Sequence, residues 1–120
     1  MSYDVQLFRT ETKQKEQKYK GEDFFDEVKN LVAFSAEQMA ELEERLLAYD
    51  FERLRQDKFG THFECAEFGI SALLTASGLY FQTSGDEDAI FEMGLIASEF
   101  TDSGEFEKYD PQNEGWEDID

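Results

Sequence analysis

Polar and apolar positions alternate along Tyr3-Asp4-Val5-Gln6-Leu7-Phe8 and predict an opening strand. From Thr10 to Gly21 the chain is polar and lysine-rich, with Tyr19 its one large apolar side chain. That stretch predicts a mobile loop or a frayed helical turn. Asp23 to Leu31 places Phe24, Phe25, Val28 and Leu31 at the spacing of a short helix.

The clearest helical signal runs from Ala36 to Tyr49. Ser35 with Gln38 makes a capping box. Met39, Leu42, Leu46 and Tyr49 form one stripe, and Glu37, Glu41, Glu43 and Glu44 take the outer face.

A meander follows, with strands expected at Phe51–Arg55, Thr61–Ala66, Ile70–Thr75 and Leu79–Thr83. The turns near Lys58-Phe59-Gly60 and Ala76-Ser77-Gly78 are short, so neighbouring strands should be antiparallel.

Asp86 to Thr101 reads two ways. Phe91, Met93, Leu95 and Ala97 alternate as in a strand, while Ile90, Met93, Ala97 and Phe100 make a helical stripe. Acids crowd the first turn, Ser84 with Glu87 offers a capping box, and Gly104 can end a helix. Helix is the better reading, despite Gly94. A last strand is expected at Glu105–Tyr109, stopped by Pro111, before an acidic tail around Gly115-Trp116.

The order predicts an α+β two-layer sandwich. Its mainly antiparallel sheet has about five or six strands, with two or three helices on one face. Length agrees with one domain over residues 1–120, carrying a lysine-rich loop near 10–21 and an acidic tail near 110–120.

Charge changes the picture most. The chain carries 29 acids against 11 Lys plus Arg, a net −18. Residues 84–120 hold thirteen acids and one base, and residues 21–50 hold nine and two. Residues 51–83 are nearly neutral, and residues 1–20 are slightly basic. Such a field opposes nucleic acid and anionic membranes, whose phosphates call for Lys and Arg. Its natural complement is a basic protein.

No stretch is long and apolar enough for a bilayer helix. The opening residues carry no charged-then-apolar leader, and Cys65 is a single cysteine. A cytoplasmic location is expected.

Candidate chemistry is sparse. His62 and Cys65 could suggest a nucleophilic pair, but residues three apart on a strand face opposite ways. Asp86, Glu87 and Asp88 lack calcium-loop spacing and read as acids at a helix N-terminus. No phosphate loop, nucleophile elbow or zinc spacing occurs, so no metal or cofactor is expected. Tyr109 and Trp116 either fold back on the sheet or form an interface strip. The candidate docking set is therefore Glu37, Glu41, Glu43, Glu44, Asp86, Glu87, Asp88, Tyr109 and Trp116.

The opening Met1-Ser2-Tyr3-Asp4 and the later Tyr109-Asp110-Pro111-Gln112 resemble small, acidic, uncharacterised bacterial proteins, some of them associated with toxin-immunity loci. The likeness covers the two ends of the chain and carries over no functional residue. It implies a non-enzymatic, immunity-protein-like inhibitor of a basic toxin, of which a DNA mimic is a physical variant. The alternatives are a carboxylate-based, metal-assisted enzyme and a self-associating structural module.

Overall fold

In the computed structural model, residues 3–19, 30–85, 87–102, 104–110 and 115–116 are described. The expected helix over 23–31, except residues 30 and 31, and most of the tail lie outside them, as does Asp86.

Seven strands form one sheet: β1 (Tyr3–Arg9), β2 (Glu52–Asp57), β3 (Gly60–Cys65), β4 (Ile70–Leu74), β5 (Leu79–Thr83), β6 (Phe106–Asp110) and β7 (Gly115–Trp116). Their spatial order is β2-β3-β4-β5-β1-β6-β7, and every neighbouring pair is antiparallel. Six strands match the expectation. The two-residue β7 is an addition that the pattern did not announce.

Alternation sorts the sheet's two faces. Val5, Leu7, Phe63, Cys65, Ile70, Ala72, Leu74, Leu79 and Phe81 point into one cluster of buried side chains. Two helices cover that face: α2 (Ala36–Ala48) and α3 (Glu87–Glu99). Helix α2 contributes Leu42 and Leu46, each completely buried, and its Ser35–Gln38 capping box forms as the sequence predicts. Helix α3 buries Ala89, Met93, Ile96 and Ala97, a 3.6-residue repeat that settles the strand–helix ambiguity. Phe100, just past its end, wedges edge-on against Phe81 and stacks on Tyr49.

The lysine-rich stretch is a correction. It forms helix α1 (Thr10–Lys18), where a loop or frayed turn was expected. Its single buried residue is polar: Thr12 accepts a hydrogen bond from the Val32 N–H at 2.9 Å. Thr10 ties its start to the Glu105 and Gly104 carbonyls. Lys13 and Glu16 reach Glu107 and Trp116, whose side chains stand on the sheet face away from α2 and α3.

Candidate functional site

The capping box sets where α2 begins and so which residues face outward. Leu42 and Leu46 turn inward, which puts Glu37, Glu41 and Glu44 on an outer stripe of i, i+4, i+7 spacing. Two of the predicted acids have basic neighbours. Glu43 lies 3.8 Å from Arg53 of β2, and Arg45, whose pKa is raised first by its hydrogen bond to Asp102, also feels the Glu41 charge. Glu37 and Glu44 are exposed.

Glu87 and Asp88 occupy the first turn of α3, where the helix dipole favours acids, and both are exposed. Taken together, residues 36–50 and 87–102 hold ten acids and one base, Arg45. The other described residues hold ten acids and eight bases. The excess negative charge of the described structure is thus concentrated on the helical layer.

Tyr109 and Trp116 sit elsewhere. They meet edge-on with ring centres 5.0 Å apart, and Trp116 also packs edge-on against Phe8. The Trp116 indole N–H donates to the Glu16 carboxylate at 2.9 Å. These aromatics fold back on the sheet, on the face opposite α2 and α3. The predicted docking set is therefore split across two faces.

Sequence reasoning missed a groove of about 310 Å³ between α3 and strands β1 and β6. Val5 lies at its floor, and Ile90, Phe91, Gly94 and Leu95 line its helical wall. Phe91 is 65% exposed and Leu95 45% exposed. The available signal was Phe91 with Leu95, an i, i+4 apolar pair lying off the buried stripe.

The open sheet face carries a larger concavity of about 450 Å³, lined in part by Gln6, Arg55, His62, Leu73 and Tyr80. His62 lies here, 2.8 Å from Asp57, while Cys65 is buried on the helical side with 2% exposure. Opposite faces separate the two, as strand geometry requires. The Asp57 carboxylate is held below its ordinary pKa, first by the Phe59 N–H and then by His62. Burial raises the Tyr80 phenol.

Among the described residues, no group of three or more His, Cys, Asp or Glu side chains is placed to hold a metal ion. No described helix is long and apolar enough to cross a membrane. No protein-family model, curated protein or solved structure matches this chain.

Proposed function

We propose that this chain is a non-enzymatic binding protein whose acidic helical layer docks a basic protein partner. One observation carries the reading: ten acids face one base across α2, α3 and the residues that end them, while the rest of the described structure is close to balanced. A field of that kind speeds encounter with a positive surface and disfavours phosphate-bearing partners. The concrete form is an immunity-protein-like inhibitor that covers the phosphate-binding cleft of a basic toxin, in a bacterial cytoplasm. An unpaired, buried Cys65 is compatible with a reducing compartment.

The carboxylate-enzyme alternative needs two acids buried together. The buried polar positions among the described residues are Thr12, Gln38, Ser77, Thr83 and Thr101, so it draws no support from them.

The test compares wild type with a Glu37→Lys, Glu41→Lys, Glu44→Lys triple variant. Both are used as bait in native lysate, and association rates are then measured with any purified basic partner across a salt series. Wild type should associate at least about tenfold faster than the variant at low salt, with the gap closing as salt rises. Equal rates with equal salt dependence would remove α2 from the docking surface.

A further inference from the structure

Helix α3 carries a glycine in its interior that the fold itself does not require. A Cβ at Gly94 would meet Lys108 Nζ at 3.7 Å, an ordinary van der Waals contact, and, outside its own helix backbone and chain neighbours, no other described heavy atom within 4 Å. Among the described residues the glycines with positive φ are Gly60, Gly69 and Gly104, and Gly94 is not one of them. Glycine weakens a helix interior relative to alanine. Neither packing against the sheet nor backbone geometry accounts for it.

What Gly94 does is open the wall of the groove between α3 and the β1–β6 pair. Beside it stand Phe91 and Leu95, large apolar side chains left substantially in water. Acids stand near that pair along the helix and at the groove. Glu87 and Asp88 lie one turn before Phe91 and Glu92 one turn before Leu95, while Glu99 turns towards Tyr49 of α2. Asp110 of β6 lines the groove itself. The base lining the groove, Lys108, turns its ammonium onto the Gly94 carbonyl at 3.3 Å and the Ser98 hydroxyl at 3.1 Å. A largely apolar slot whose wall belongs to an acidic helix is the complement of a bulky apolar side chain flanked by lysines or arginines. Such a centre-and-rim arrangement is how interface anchors gain their energy.

We infer that this groove is the anchor slot for a basic protein segment, which inserts one leucine- or phenylalanine-sized side chain between Gly94 and Val5. The inference rests on the acidic-layer reading above and moves its centre from α2 to α3. Glycine at position 94 then trades helix stability for room.

The probes are two short synthetic peptides of equal charge, one of lysine and leucine at amphipathic helical spacing, the other of lysine and serine. Each is titrated into the ¹⁵N-labelled full chain. The lysine–leucine peptide should saturably shift the Val5, Gly94, Leu95 and Lys108 amides. It should stay bound at salt that releases the lysine–serine peptide. Gly94→Leu and Leu95→Ser, each checked for an unchanged fold by its spectrum, should weaken it by about tenfold. Neither substitution should alter the shifts that the lysine–serine peptide causes on α2. If both peptides perturb the same α2 and α3 acids and leave the groove amides still, the slot is wrong and the acidic-layer reading stands. If neither peptide binds at low salt, both readings fall.

Discussion

Arg45 of α2 grips Asp102, just beyond the end of α3, through two hydrogen bonds of 2.9 Å from one guanidinium nitrogen to the two carboxylate oxygens. The other terminal nitrogen donates to the Glu99 carbonyl at 3.0 Å, and the guanidinium carbon lies 5.5 Å from the Phe100 ring centre. One side chain thus gives the Glu99 carbonyl, which also accepts from the Asp102 N–H, a second donor in the last turn of α3, places a cation at that helix's negative end and joins the two helices. Arg45→Ala should cost about 1 kcal/mol, the modest value set by solvent screening at a partly exposed pair. Arg45→Lys should recover only a few tenths of that, because an ammonium keeps the charge and loses the fork. Urea unfolding checks both, as a lower midpoint at unchanged slope.

Tyr49 packs beside this junction and donates its hydroxyl to the Glu99 carboxylate. Burial first, and that hydrogen bond second, push its phenol up from 10 to about 12. A raised pKa means that the fold prefers the neutral phenol. The stability this provides is whole below pH 10 and drains away as pH rises towards 12. Absorbance titration of tyrosinate should show a late-ionising component that disappears in Tyr49→Phe. A second late component, from Tyr80, should remain, since burial raises that phenol as well.

Two glycines should answer alanine in opposite directions. Gly60, the first residue of β3, has a φ of 142°, and a Cβ there would collide with the Leu74 carbonyl oxygen of the neighbouring β4. Gly60→Ala should lose roughly 2 kcal/mol or more, because backbone must move on a paired strand. Gly94→Ala should gain about 0.5–1 kcal/mol, since its Cβ has space and the helix loses a flexible link. Thermal unfolding of the two variants side by side reads the sign directly.

The β2–β3 turn also carries an acid-sensitive contact. The Phe59 N–H donates to Asp57 at 2.9 Å, and His62 closes on the same carboxylate at 2.8 Å. Both lower the Asp57 pKa below its ordinary 3.8. Their contribution is present above 3.8 and lost as pH falls through the lower value reached in the fold. The Phe59 amide resonance should therefore move at acid pH, and in Asp57→Asn that titration should vanish.

Cys65 is enclosed by the core. A thiol reagent should modify it slowly in the native protein and at the rate of a free thiol in denaturant. Fast native labelling would contradict the burial of β3.

Where a residue's pattern matched its burial, the chain was readable. The alternation at Val5, Leu7, Phe63 and Cys65 placed β1 and β3, and Ser35 with Gln38 placed the start of α2. Helix α1 escaped because it has no apolar stripe. It is held by Thr12, by Thr10 and by the reach of Glu16 to Trp116. Those are contacts between residues far apart in sequence, which no local period encodes. The same limit explains the divided docking set. Tyr109 and Trp116 share the acidic C-terminal third with Glu87 and Asp88, but strand direction sends the aromatics to the other side of the sheet. The groove stayed hidden because its floor and wall come from opposite ends of the chain.

Among the described residues, the uneven placement of acids between the layers adds an electric dipole moment to the net charge. In the field of a positively charged body, a dipole feels a torque. The helical layer would swing round to lead the approach before any side chain touched. An incoming basic partner would then meet α2 and α3 more often than chance collision allows, and fewer encounters would be spent on the wrong face.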